Sequence, residues 1–264
     1  MKKIFFFDID GTLIDCNRGL IEISKGNQAA IKALQNKGHL VFIATGRTKC
    51  FIVDPIRQFP FDGFVVCNGG YIEYNQKCLS QKMMDLEAIK YLVSFCREHG
   101  FDYYLESYDT IYVNDLTSKR VLDFASRWEM KLETMCDQFD LEKIKVHIAM
   151  IVANSEEDFA LIEQKLSLYF DVARHPHQLS FDINIKGVNK GTAILELIQR
   201  LNIELKDTYA FGDGLNDIEM IETVGHGIAM GNALEVLKEK ADDVCEDVLN
   251  DGISKTLKRY KIID

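Results

Sequence analysis

Residues 1–12 read MKKIFFFDIDGT, and this stretch decides the fold. Lys3 to Phe7 is a short apolar run with no polar interruption, the pattern of a strand buried on both faces. Asp8 and Asp10 end it, and Gly11 allows the tight turn needed beside a ligand. Two lysines before apolar residues imitate the start of a secretion signal. The run is too short for one, and two aspartates close it.

Outward from this strand, Asn27 to Lys37 places Ala30, Ile31 and Leu34 at helical spacing and stops at Gly38. Leu40 to Ala44 is a second buried strand. A helix over Thr48 to Gln58, weakened or bent at Pro55, is expected next. Phe64 to Cys67 is a third strand, ended by Asn68-Gly69-Gly70. Strand, helix, strand, helix, strand implies a parallel sheet with helices on both faces, an α/β doubly wound core. The alternation resumes late: helix Lys190 to Leu201, strand Thr208 to Phe211, helix Leu215 to Thr223, strand Gly227 to Met230, helices Ala233 to Lys240 and Ile253 to Tyr260.

Between Met83 and Lys186 the order is irregular. Phe101 to Glu106 and Thr110 to Val113 read as adjacent strands, and Asp115 to Trp128 as a helix. Val146 to Ala153 reads as a strand, and Ser155 to Tyr169 as a helix capped by Ser155. Phe170 to Arg174 and Leu179 to Ile185 read as strands joined by His175-Pro176-His177. The expected organisation is a core of residues 1–82 plus 187–264, with an α+β domain of residues 83–186 inserted into it.

The bulk numbers fit two such bodies. The chain has 264 residues, enough for two cores, and only three prolines, which argues against a disordered chain. A net charge of −10 disfavours a broad nucleic-acid face but leaves room for one small phosphorylated molecule in a local positive pocket. Seven scattered cysteines, with no Cys-x-x-Cys pair, read as reduced thiols and not as a zinc site. No stretch approaches a membrane span, and a cytoplasmic protein, monomeric or a weak homodimer, is expected.

Three polar clusters fall at carboxyl ends of the one expected sheet: Asp8 and Asp10, then Thr45-Gly46-Arg47, then Asp213-Gly214 with Asn216 and Asp217. Ligands bind at that edge of such sheets. If extended geometry persists, Asp8 and Asp10 point the same way, so one carboxylate can attack while the other gives and takes protons. A cation beside them lowers their repulsion and separates their roles. A calcium loop would need a third oxygen ligand before its glycine, and Gly11 comes too early. The Thr45 hydroxyl and nearby backbone N–H groups could hold a phosphate oxygen or cap a helix, and Arg47 could meet a phosphate or a carboxylate. Lys190 opens a helix, where the macrodipole disfavours a cation unless an anion is bound. Asp213, nearest its strand end, suits magnesium.

Taken together these residues are recognisable. The string FFFDIDGTLID resembles the first motif of the haloacid dehalogenase superfamily, ATGR at Thr45 the second, NKG at Lys190 the third and GDGLND the fourth. The large insert, and Asn68-Gly69-Gly70, resemble the Cof-type subfamily, whose members are mostly phosphatases of sugar phosphates and related compounds. The resemblance implies a Rossmann-like core with an inserted cap that closes over the site and selects the substrate. Asp8 would be nucleophile and metal ligand, and Asp10 acid/base with its carbonyl on the metal. Asp213 would bind Mg2+. Ile9, Thr45, Gly46, Lys190 and Asn216 would bind the phosphoryl group, and Asp217 would hold Lys190 or a metal-bound water. Arg47, His147, Arg174, His175, His177 and Gln178 are the polar candidates for substrate selection, with Glu106 and Tyr108 next. Tyr103, Tyr104, Tyr108 and Tyr112 are expected to pack in the cap core. The implied activity is hydrolysis of small phosphomonoesters, with sugar phosphates as the first reading. A phosphosugar mutase and a flavin mononucleotide or pyridoxal phosphate phosphatase are the alternatives. A phospholigand-binding regulator would lack Asp8 or Asp10, and both are present.

Overall fold

The computed structural model describes residues 2–127, 130–175 and 177–264. Trp128, the expected end of one helix, and Pro176, inside the expected turn, lie outside them. The chain opens with β1 (Ile4–Phe7), α1 (Lys25–Asn36), β2 (Leu40–Ala44), α2 (Asp54–Arg57), β3 (Gly63–Val66), β4 (Tyr71–Tyr74) and β5 (Lys77–Gln81). There follow α3 (Leu86–His99), β6 (Asp102–Glu106), β7 (Ile111–Val113), α4 (Lys119–Arg127), β8 (Met135–Cys136), β9 (Ile148–Val152), α5 (Phe159–Leu166), β10 (Phe170–Arg174) and β11 (Ser180–Ile185). The last stretch holds α6 (Lys190–Leu201), β12 (Thr208–Gly212), α7 (Ile218–Thr223), β13 (His226–Ala229), α8 (Glu235–Lys238), β14 (Asp243–Val244) and α9 (Gly252–Arg259). Two compact units result: residues 1–46, 53–80 and 189–264 form the first, and residues 47–52 with 81–188 the second.

The first unit is an α/β body on a sheet ordered β14-β13-β12-β1-β2-β3-β4-β5. It is parallel from β14 to β3 and turns antiparallel at β4. All four residues of β1 are fully buried, because β12 and β2 flank it and apolar layers cover both faces. Phe7 pairs in register with Phe211 and with Ile43, and the Phe7 and Phe211 rings stack at 5.1 Å. That register brings Asp8, Thr45 and Asp213 to the same edge of the sheet. In α1 the Ser24 hydroxyl accepts the Asn27 N–H, and Ala30, Ile31 and Leu34 are buried. The expected helix over 48–58 is two pieces, a 3-10 turn at Lys49–Phe51 and α2. Pro55 starts the second piece and does not bend a longer one, since its missing N–H is tolerated in a first turn.

The second unit is an α+β body on a six-stranded sheet ordered β10-β11-β9-β6-β7-β8. Helices α3 and α5 pack on one face through Leu92, Cys96, Ile162 and Leu166 against Tyr103, Ile151 and Phe181. On the other face Val121 and Ala125 of α4 meet Tyr104, Val113 and Met150. Tyr103 and Tyr104 thus serve opposite faces, as alternation along a strand requires. Helix α4 starts four residues later than Asp115, because that carboxylate accepts the Thr117 N–H at 2.7 Å and holds a turn there. No helix among the described residues is long and apolar enough to cross a membrane.

Candidate active site

The backbone sets the first part of the site. Asp8 continues β1, its N–H donating to the Phe211 carbonyl at 3.0 Å. The chain then winds back, with the N–H groups of Leu13 and Ile14 both donating to the Ile9 carbonyl. Gly11 is required here twice over. Its φ is +79°, and a Cβ on it would lie 2.1 Å from Asp213 Oδ2. The Asn232 amide donates to the Gly11 carbonyl at 2.7 Å, and its oxygen accepts the Val248 N–H at 2.9 Å, so a loop distant in sequence pins this turn.

Lys190 begins α6, whose N-cap Asn189 accepts the Thr192 N–H at 2.8 Å. A Cβ on Gly191 would meet the Glu219 carbonyl at 2.5 Å, so glycine lets α6 approach α7 closely. The approach sinks Lys190 to zero exposure. Its Nζ donates to Asp8 Oδ1 at 2.7 Å and to Asp217 Oδ1 at 2.6 Å. Asp217 spends its other oxygen on the N–H groups of Asp213 and Gly214 at 2.9 and 3.0 Å. The Thr12 hydroxyl donates to Asp213 Oδ1 at 3.3 Å.

Asp8, Asp213 and Asp217 therefore crowd one buried place, each with an oxygen within 4.8 Å of the others. Burial, then the charge of Asp217 and Asp10 against the opposing pull of Lys190, pushes the Asp8 carboxyl up to about 7. Burial and the neighbouring Asp8 and Asp217 push Asp213 up to about 9. Burial works against the Lys190 ammonium, but Asp217 and Asp8 outweigh it and hold its pKa above the ordinary value. One lysine does not balance three carboxylates. The donor set is all oxygen, anionic and buried, and it fits a hard divalent cation. Asp8 and Asp213 are the better placed ligands, because both Asp217 oxygens already accept hydrogen bonds.

A second cluster adjoins β2. Thr45 is buried, its N–H on the Val65 carbonyl at 2.9 Å and its carbonyl accepting the Asn68 N–H at 3.1 Å. Asn216 Nδ2 donates to Asn68 Oδ1 at 3.2 Å, and both amides lie against Gly46. Thr12, Asn68 and Asn232 were not among the residues expected from sequence. Thr12 and Asn68 stood within quoted motifs, while Asn232 carried no local signal.

The residues expected to select the substrate lie in the second unit. Arg47 donates to the Phe51 carbonyl at 3.0 Å and lies over the Phe51 ring. His147 is buried, which lowers its pKa, with Nδ1 2.6 Å from the Lys82 carbonyl. Arg174 lies over the Phe159 ring and 3.8 Å from Glu156. His175 meets Asp182 at 3.1 Å and the Ser180 hydroxyl at 2.8 Å. Burial disfavours its charge, but Asp182 prevails and raises its pKa. Gln178 is half-buried, its N–H on the His175 carbonyl at 3.3 Å.

Glu106 in this unit is buried, and burial with the nearby Asp182 pushes its carboxyl up to about 8 against the Thr48 N–H and Arg47. The folded pKa lies above the unfolded one, so the neutral acid is favoured on folding. The contribution of Glu106 to stability is then greatest below pH 4.5 and falls as pH rises toward about 8, by up to roughly 1.4 kcal/mol per unit. Glu106→Gln is expected to flatten that fall, raising the melting temperature at pH 8 and leaving it unchanged at pH 4. Parallel melting curves for parent and variant across this range would refute the assignment.

The family described as haloacid dehalogenase-like hydrolase matches residues 5–257. YkrA of Bacillus subtilis (strain 168), a protein named as a phosphatase, is 33% identical over 264 residues, 99% of each chain. The 5-amino-6-(5-phospho-D-ribitylamino)uracil phosphatase YcsE of the same organism is 24% identical over 98% of this chain and 95% of its own. Among solved structures, the subclass IIB sugar phosphatase BT4131 superposes with a TM-score of 0.85 at 29% identity, covering 99% of this chain and 100% of that one.

Proposed function

The chain belongs to the haloacid dehalogenase-like hydrolases and is a phosphatase of phosphomonoesters, and on that premise we propose that it uses Mg2+, a phosphoaspartate on Asp8 and phosphorylated sugars or sugar alcohols as substrates. The observation that carries this reading is the Asp8 carboxylate, held by Lys190 at 2.7 Å in a buried pocket beside Asp213. One Asp8 oxygen is fixed by the lysine, and the other attacks phosphorus in line with the ester oxygen. The phosphorus–ester bond breaks, and Asp10 gives its proton to the leaving alkoxide. In the second half Asp10 takes a proton from water, water attacks phosphorus, and the bond to Asp8 breaks to release phosphate. Lys190 and the backbone N–H groups of Ile9 and Gly46, with the Thr45 hydroxyl and Asn216, hold the phosphoryl oxygens. A magnesium ion on Asp8, Asp213 and the Asp10 carbonyl would supply positive charge to those oxygens when bound.

Two relatives support the substrate class: one is named a sugar phosphatase, and the other acts on a phosphorylated ribityl chain. Both names describe a phosphate on a hydroxylated carbon chain. Flavin mononucleotide carries such a chain, while pyridoxal phosphate does not. We assign selection among these substrates to the second unit. No disulfide joins the seven cysteines among the described residues, which fits a reducing, cytoplasmic setting.

The test is free-phosphate release from sugar phosphates, sugar-alcohol phosphates, flavin mononucleotide and pyridoxal phosphate, ranked by kcat/KM. Hydroxylated chains are expected to lead. Isomerised sugar phosphate without phosphate release would overturn the hydrolytic reading. Removal of divalent ions with EDTA is expected to lower kcat/KM at least about a hundredfold, with recovery on adding Mg2+. Full activity after chelation and desalting would remove the metal from the proposal.

A further inference from the structure

Directly after β3, three successive residues take the left-handed backbone: Cys67 at φ 56°, Asn68 at 48° and Gly69 at 99°. Two of them are not glycine, and such residues adopt this conformation only against a steric cost. Cys67 and Asn68 are also buried, so no solvent contact explains the shape. What the turn reaches does explain it. The Asn68 N–H donates to the Thr45 carbonyl at 3.1 Å, and its side-chain oxygen accepts from Asn216 Nδ2 at 3.2 Å. A Cβ on Gly46 would lie 3.0 Å from that same Asn68 oxygen. One residue on, a Cβ on Gly69 would lie 2.4 Å from the carbonyl of Asn189, the N-cap of the helix that begins with Lys190. A single strained turn thus touches three segments to which the phosphoryl site is assigned.

The Asn216 carboxamide lies across two glycine turns, its oxygen beside Gly214 and its nitrogen beside Gly46 and Asn68. Its two ends differ in chemistry: only the NH2 end can donate to a phosphoryl oxygen. The Asn68 oxygen accepts from that end and so decides which way the amide faces.

We propose that Asn68 is a positioning residue that locks the Asn216 carboxamide with its NH2 toward the Thr45–Gly46 turn, and so sets the affinity for the phosphoryl group. The proposal rests on the phosphoryl site assigned above. It predicts an effect on binding more than on the chemical step.

Asn68→Gly is the informative variant, because glycine keeps the left-handed turn and removes only the amide. Asn68→Ala would add backbone strain and confuse the two. With p-nitrophenyl phosphate and Mg2+, Asn68→Gly is expected to raise KM, and the inhibition constant of inorganic phosphate, about tenfold, the size of one lost hydrogen bond, with kcat changed less than about threefold. In an Asn216→Ala background the same change is expected to do nothing further, since the residue it acts through is gone. Equal and independent effects of the two substitutions, or unchanged phosphate inhibition in Asn68→Gly, would overturn the positioning role. So would a lower melting temperature with unaltered kinetics. Asp8→Asn separates the premises: if it stays active, the site assignment itself fails; if it is inactive while the cycle is additive, only the role of Asn68 fails.

Discussion

Asp8→Asn is expected to lower phosphate release at least about 10⁴-fold with the fold intact, the scale on which losing a covalent nucleophile acts. The amide matches the carboxylate in shape and offers Lys190 an oxygen, but it cannot attack phosphorus. The surroundings make it well tolerated. Asp8 stands among Asp213, Asp217 and one lysine, and burial first, then the charge of Asp217 and Asp10 against the pull of Lys190, already pushes its carboxyl up to about 7. A neutral side chain there relieves repulsion, so the melting temperature should hold or rise in the absence of divalent ions. Rates of phosphate release together with thermal unfolding curves check both halves. Hydrolysis by the variant at the parent rate would mean that the nucleophile lies elsewhere.

Lys190→Met is expected to damage activity and stability together. The Nζ bonds two carboxylates at 2.7 and 2.6 Å from a position with no exposure. Removing one partner of a buried ion pair leaves charge uncompensated, a cost of about 3–5 kcal/mol. For a chain of this size that is a fall in melting temperature on the order of 10 °C. The orphaned Asp8 carboxyl, already pushed up to about 7, can recover part of the loss by taking up a proton, so the fall should shrink as pH drops through about 7. Activity should drop a further 10²- to 10³-fold beyond what unfolding explains, the usual effect of losing an electrostatic donor to a transition state. Lys190→Arg should not restore it, because a broad planar guanidinium does not reproduce the compact ammonium that bonds two carboxylates from a fully buried position. A Lys190→Met protein that melts with the parent would show that the buried pairs carry no stability.

Much of this was legible in the sequence because it rests on local rules. An uninterrupted apolar run that ends in Asp8 and Asp10 marks a strand end. Thr45 and Asp213 follow similar runs, and Lys190 betrays itself by standing at a helix start. Other parts were hidden for physical reasons. Asn232 pins the Gly11 turn across 221 residues, and no spacing rule reaches that far. Whether a polar side chain faces a ligand or its own fold is equally invisible: His147 meets a main-chain carbonyl and Arg174 an aromatic ring. Two features were open to reading and were not read well. Helix α3 carries an Asp85 cap, buried Ile89, Leu92 and Cys96 at helical spacing, and Gly100 at its end, yet the expectation named no helix there. Pro55 invited a bent helix where the chain instead starts a new one.

The placement of β1 has a consequence for biosynthesis. Its two neighbours are β2, which leaves the ribosome soon afterwards, and β12, which follows more than a hundred and fifty residues later. Until then one edge of this fully buried strand has no partner, while the second unit, nearly continuous in sequence, is already largely synthesised. The nascent chain therefore carries an open, sticky ribbon through most of its translation. Chaperone demand should follow the delay in closing that edge and not the stability of the finished enzyme.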